Sequence, residues 1–258
     1  MSAPATQGIW TEKQLPRPVL VEPGLRRTQT STPEDPLMFD WHLPEAQPSA
    51  EMQREALSAR ITRMLKRSLD MIGATLALLV AAPAILGVAL VIAVDSRGPI
   101  IYRTYRVGRK GRLFRFYKFR TMVTTAESQL DEVRELNERE KILFKVAEDP
   151  RLTRIGGFLR KYSLDELPQL WNILKGDMSL VGPRPPIAGE YEQFRPEYRR
   201  RTLVPPGLTG LWQVTARTDP SFDRYVQIDC EYIDRWSLWL DLKILCKTVP
   251  AVLRGTGQ

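Results

Sequence analysis

Histidine is nearly missing. The 258-residue chain has one, His42, in a proline-rich N-terminal stretch. A Ser-His-Asp triad, a histidine base in a folded core and a histidine-rich metal site are therefore not expected. Chemistry must run on carboxylates, amines, hydroxyls or a hard metal ion. Cysteine is scarce too: Cys230 and Cys246 are the only two, without CxxC spacing. They read as buried, reduced thiols rather than a disulfide framework. The N-terminus Met-Ser-Ala-Pro-Ala-Thr-Gln lacks a basic start and an apolar run, so no secretory signal is expected. Acid is the third shortage. None occurs between Ser96 and Arg120, a stretch that holds nine basic residues.

What is present is positive charge. The net charge is +8 and the isoelectric point about 9.6. Such a chain favours acidic partners: nucleic acid, anionic lipid or phosphorylated small molecules. Eight of the twenty prolines fall in residues 1–50, with no apolar periodicity, which predicts a disordered arm there. Residues 51–258 then form the folded part. It opens with a basic amphipathic lead-in around Met52, Leu57, Ile61 and Leu65.

Met71 to Val94 is a run of 24 residues without a charge. A bilayer-spanning helix needs about 20. Basic residues crowd both flanks, and positive charge marks the cytoplasmic side. Pro83 sits near the middle and removes a backbone donor. A straight span and a helix that breaks at Pro83, dips into one leaflet and returns both fit the length. The two like-charged flanks favour the re-entrant form, over about residues 68–95.

Residues 100–122 alternate in a strand-like way around Gly-Arg-Lys-Gly, which predicts a β-hairpin with a basic turn. Residues 124–148 are charge-rich and read as an exposed helix. Leu164, Leu167, Leu170, Trp171 and Leu174 make an apolar stripe that Gly176 should end. Val-Gly-Pro-Arg-Pro-Pro and Pro-Pro-Gly-Leu-Thr-Gly-Leu-Trp-Gln read as loops. Near the C-terminus, Trp236, Trp239, Leu242 and Ile244 lie among lysines, as in a helix at a membrane interface or an ordinary buried one. The fold class expected is α+β and mostly helical, with a membrane re-entrant helix, a small β-hairpin and interfacial amphipathic helices.

Asp165 and Glu166 stand side by side in Ser-Leu-Asp-Glu-Leu-Pro. A capping box, Ser163 with Glu166, would explain them structurally. Adjacent carboxylates can also hold Mg²⁺ with substrate phosphates, and a carboxylate can attack phosphorus. Arg154, Arg160, Lys161 and Arg184 lie nearby in sequence and suit phosphate.

Four stretches carry a resemblance: KRSLDMIGATLALLVAAPAILGVAL, RVGRKGRLFRFYKFRTM, LRKYSLDELPQLWNILKGDMSLVGPRPP and PPGLTGLWQV. In this order they resemble the bacterial sugar transferase family, the monotopic polyprenyl-phosphate hexose-1-phosphate transferases of exopolysaccharide assembly. The resemblance runs from about residue 60 to the end. It implies transfer of a hexose-1-phosphate from a UDP-sugar to undecaprenyl phosphate, with UMP released through a phosphosugar-aspartyl intermediate. It implies Asp165 as nucleophile and Glu166 as its partner and Mg²⁺ ligand. Lys118, Arg120, Arg160 and Arg184 match substrate-binding positions, and Pro83 matches the helix-breaking proline. Many relatives have Ser before that proline, where this chain has Ala82. The implied location is the bacterial inner membrane, with the catalytic part on the cytoplasmic face and no nucleic-acid partner. The alternative is a non-enzymatic, basic, membrane-anchored module that binds anionic lipid.

Overall fold

A computed structural model of the chain describes residues 50–133, 146, 149–216, 219 and 221–255. The expected proline-rich arm lies outside them, His42 included. So does most of the helix expected over 124–148; within that span a short helix, α2 (Leu130–Val133), is described.

The first element is α1 (Ala50–Asp95), 46 residues long. Its opening turns belong to a separate unit, residues 11–65, where Thr62 Oγ1 donates to the Ser58 carbonyl at 2.8 Å. The rest of α1 belongs to the larger unit, which holds the chain from Lys66 onward. Ala74 and Ile92 are fully buried along one stripe of α1. Leu76, Leu79, Val80, Leu86 and Val94 are exposed on the other faces. So much unpartnered apolar surface is not stable in water and requires an apolar surrounding. Pro83 does not interrupt α1. Its ring deletes one helical hydrogen bond, and the alanine- and leucine-rich turns on both sides keep α1 one continuous element. Both halves pack on the same globular body. Ala74 joins Phe114, Phe116, Leu170, Ile173 and Met178, whereas Ile92 joins Phe119 and Leu159. Each large side chain so buried contributes about 1.5–3 kcal/mol.

The expected hairpin is present. β1 (Ile101–Val107) pairs antiparallel with β2 (Leu113–Phe119), placing Tyr102 opposite Lys118 and Arg106 opposite Phe114. Lys110 in the turn has a left-handed backbone, φ 57°. Helices α3 (Gly156–Lys161) and α4 (Gln169–Lys175) come next, and Gly176 ends α4 at φ 90°, as expected. Leu170 and Ile173 are buried, but Trp171, expected on the inner stripe, is 56% exposed.

The stretches read as loops instead contain a parallel pair, β3 (Ser179–Val181) with β4 (Gly207–Thr209). The backbones touch so closely that a Cβ on Gly207 would stand 2.1 Å from the Gly182 nitrogen. Only glycine allows that approach. Short α5 (Ala188–Glu192) lies against β1, and α6 (Leu211–Thr215) follows β4 and packs on the two C-terminal helices. The chain ends in α7 (Phe222–Asp234) and α8 (Leu238–Leu253). On α8, Asp241 and Ile244 face inward, whereas Trp239, Leu242, Cys246, Val249 and Leu253 are exposed at helical spacing. That outward apolar stripe matches an interfacial helix rather than a buried one. Cys246 is exposed and Cys230 half-buried, both free thiols, so neither is the buried cysteine expected.

Candidate active site

The carboxylate pair sits in a tight turn. Ser163 has a left-handed backbone, φ 54°, and its side chain makes no cap bond. The capping box is therefore not formed, and the simplest structural reason for the pair falls away. A serine in this region is uncommon, and such outliers gather at functional sites. A 3₁₀ turn, Leu164–Glu166, carries both acids; Asp165 is 6% exposed.

The turn rests on a rigid base. Asn172 on α4 is fully buried; its Nδ2 donates to the Arg115 carbonyl at 2.6 Å, and its Oδ1 accepts from the Tyr117 amide at 3.2 Å. These bonds fasten α4 to β2. Arg67 on α1 donates to the Ile173 and Leu174 carbonyls at 2.5 and 2.7 Å, which satisfies the C-terminal end of α4.

Beside the turn lies a cavity of about 520 Å³ between the hairpin, α3 and the Pro-Arg-Pro loop. Lys118, Arg120, Arg160 and Arg184, four residues from distant stretches of sequence, all line it. Asp165 and Glu166 are not among the lining side chains, yet both charges are felt by Lys118. Burial lowers the Lys118 ammonium to about 8, helped by Arg160 and opposed by Asp165. Lys118 faces the Tyr102 ring at 5.6 Å and has no ion pair among the described residues. Burial likewise lowers Arg160, against the pull of Asp165. Its Nε donates to Thr121 Oγ1 at 3.0 Å.

Arg120 lines the cavity and also has a structural part. Its Nε, Nη1 and Nη2 donate to the carbonyls of Pro99, Arg97 and Ser96 at 2.7, 3.1 and 2.8 Å. It clamps the segment that leaves α1, with three of its five donors engaged there.

Arg184 is held through its backbone. Arg201 Nη2 donates to the Arg184 carbonyl at 3.1 Å, the Val107 amide to Pro186 at 2.9 Å, and Gly207 to Pro183 at 2.9 Å. Arg201 is anchored in turn by a buried ion pair with Asp229 and a bond to Tyr225. Burial depresses the Arg184 guanidinium, but Glu190, Tyr225 and Glu166 outweigh it, and the net shift is upward.

Two lining residues, Arg106 and Glu190, were not singled out from sequence. Strand alternation could have found Arg106, because it shares a hairpin face with Tyr102 and hence with Lys118. Glu190 carried no such signal.

Among the described residues no group of three or more His, Cys, Asp or Glu stands ready for a metal. The neighbouring pair Asp165 and Glu166 still suits Mg²⁺, which usually takes one or two carboxylates and fills its shell with waters and substrate phosphates.

Comparison with known proteins shows the family. The family model described as bacterial sugar transferase matches residues 61–255. The chain belongs to the bacterial sugar transferase family. Within the family it is 47% identical over 193 residues to the galactosyl transferase CpsE of Streptococcus agalactiae, covering 74% of this chain and 43% of that protein. To the undecaprenyl-phosphate galactose phosphotransferase of Salmonella typhimurium it is 45% identical over 206 residues, 78% of this chain and 43% of the relative. To the exopolysaccharide production protein ExoY of Rhizobium meliloti it is 41% identical over 199 residues, 76% of this chain and 88% of the relative. The chain thus spans less than half the length of the first two relatives and nearly all of ExoY.

Proposed function

We propose that this chain transfers a hexose-1-phosphate from a UDP-sugar to undecaprenyl phosphate, as an early step of exopolysaccharide or related glycan assembly. The observation that carries the reading is the cavity: several cations converge beside two adjacent carboxylates without enough acid to neutralise them. A diphosphate supplies the missing negative charge.

The Asp165 carboxylate attacks the phosphorus that bears the sugar. A phosphosugar-aspartyl bond forms, the bond between the two phosphates breaks, and UMP leaves with the electron pair. An oxygen of the lipid phosphate then attacks the same phosphorus and releases the Asp165 carboxylate. Lys118 and Arg160 stabilise charge on the transferring group, and Arg184 holds the nucleotide phosphate. Glu166 would hold Mg²⁺ with Asp165 beside it, and the ion when bound supplies further neutralisation of the diphosphate.

The membrane part fits the acceptor. The exposed faces of α1 and α8 are apolar, and both halves of α1 pack on one globular body. A helix held in this way enters the inner membrane from the cytoplasmic face without carrying a domain across. The reaction then runs where a lipid phosphate lies, with its tail in hydrocarbon.

UMP release tests the reading. Protein in nanodiscs is given undecaprenyl phosphate, Mg²⁺ and a panel of UDP-sugars. UMP should appear with one or few of them. A panel without UMP above an Asp165→Asn background would leave a basic lipid-binding module instead.

A further inference from the structure

Near Arg184 the cavity holds one further cation to which the proposed chemistry gives no part, Arg106. Arg106 and Arg184 both line it, and Arg106 feels the Arg184 charge. Burial, and then Arg184, lowers the Arg106 guanidinium to about 10. One carboxylate, Glu190, faces the pair, and its Oε2 already accepts from the Ile187 amide at 3.0 Å. Glu190, already partly occupied, is thus the carboxylate that acts on both guanidinium ions, whereas Glu166 acts on Arg184.

The donors of Arg106 are also poorly used. Its Nε is buried without a hydrogen-bond partner. Its Nη1 reaches the Pro185 carbonyl only at 3.4 Å, beyond the usual range. The Phe116 ring lies 5.4 Å from its carbon and steadies the guanidinium plane. A steadied, under-used arginine fork beside a second arginine is a preorganised receptor for an oxyanion with several acceptor oxygens. Leaving a buried donor unmet costs stability, so the arrangement makes sense if a ligand meets it.

We infer that Arg106 is a further substrate-binding residue, which grips together with Arg184 the nucleotide phosphate that leaves as UMP. This rests on the donor proposed above. Lys118 and Arg160 both feel the Asp165 charge, and they serve the transferred phosphate. Arg106 serves the leaving one. Negative charge builds on that group as the bridging bond breaks, so the fork favours departure as well as binding.

The test is binding of UMP by the full-length protein in nanodiscs, measured by calorimetry for wild type, Arg106→Gln and Arg106→Lys. Uridine, which lacks phosphate, is measured alongside by saturation-transfer NMR. Loss of a charge-assisted contact predicts a UMP affinity about tenfold to a hundredfold weaker in Arg106→Gln. Arg106→Lys, which keeps charge but loses the fork, should weaken UMP severalfold. Uridine binding should stay unchanged in both. If Arg106→Gln does not fold, Arg106→Lys is judged by the same criteria. UMP affinity within twofold of wild type overturns the inference. Equal losses for UMP and uridine overturn it as well, since Arg106 would then only support the Pro-Arg-Pro loop. Wild-type protein that takes up no UMP removes the donor reading itself, a different failure from a variant that matches a binding wild type.

Discussion

Two groups of buried charge in this molecule are built from the same residue types and end up opposite in character. In the first, Lys66 on α1 lies 3.0 Å from Asp70 and 2.7 Å from Asp241 on α8. Ser179 Oγ and the Leu180 amide donate to Asp70, each at 3.0 Å. Tyr232 and Trp236 donate to Asp241 at 2.8 and 3.3 Å. Burial and the Asp241 charge push the Tyr232 phenol up, so it stays a donor. Every acid here has a cation and hydrogen bonds, and the group ties α1 to β3, α7 and α8. The second group is the cavity. Six cationic and two acidic side chains line it, and among the described residues Arg151 alone of those cations is ion-paired, with Asp149 at 2.7 Å. The first group is electrically closed and holds the fold together. The second is open, and the proposed function assigns its deficit of acid to a phosphorylated substrate.

The contrast can be broken from either side. The largest effect is expected at Asp165, where Asn should lower UMP release by a factor of about a thousand or more while leaving the thermal midpoint nearly unchanged. In the closed group, Asp70→Asn leaves Lys66 short of one acid and should cost about 3–5 kcal/mol in chemical denaturation. Full stability in that variant would show that the group is not the tie described.

Lys118→Met should separate the two groups most cleanly. Turnover should drop about a hundredfold, yet stability should hold or rise, because an unpaired buried cation has been removed. The pH dependence carries the same sign. The folded Lys118 titrates near 8, below its ordinary 10.5. Between these values the unfolded chain binds the extra proton, so Lys118 makes stability rise with pH. Activity, which needs the charged form, should fall through the same range. A pH series of melting temperatures and initial rates checks both, and the Lys118→Met variant should lack the stability rise. The smallest effect is expected on α8, where Trp239→Ala should weaken vesicle association by about 1–2 kcal/mol in flotation without altering the fold.

Much of this was legible in the chain. The hairpin showed through alternation around two glycines, the end of α4 through Gly176, and the apolar helix through its uncharged length. The cations Lys118, Arg160 and Arg184 were legible because their motifs are distinctive, although nothing in their spacing reveals that the hairpin, α3 and the Pro-Arg-Pro loop converge. Other features needed the folded chain. The β3–β4 pair hides in Gly-Pro stretches, because its stability comes from close backbone approach rather than side-chain pattern. The hold of Arg120 on three carbonyls of the segment leaving α1 carries no mark in the sequence. Ser163 looks like a cap until its left-handed backbone turns the side chain away from that bond. Pro83 is visible in the sequence, but that α1 stays one continuous element on both sides of it needed the folded chain.

The central claim is that Asp165 carries the sugar phosphate, and mass spectrometry of the quenched protein tests it most directly. Protein in nanodiscs is mixed with the accepted UDP-sugar and Mg²⁺, without lipid acceptor, then quenched and digested. The account predicts a hexose-phosphate adduct on the peptide containing Asp165, formed with about one UMP per protein, cleared by undecaprenyl phosphate and missing from Asp165→Asn. Product formation with no adduct on that peptide, or an adduct that persists in Asp165→Asn, would contradict it.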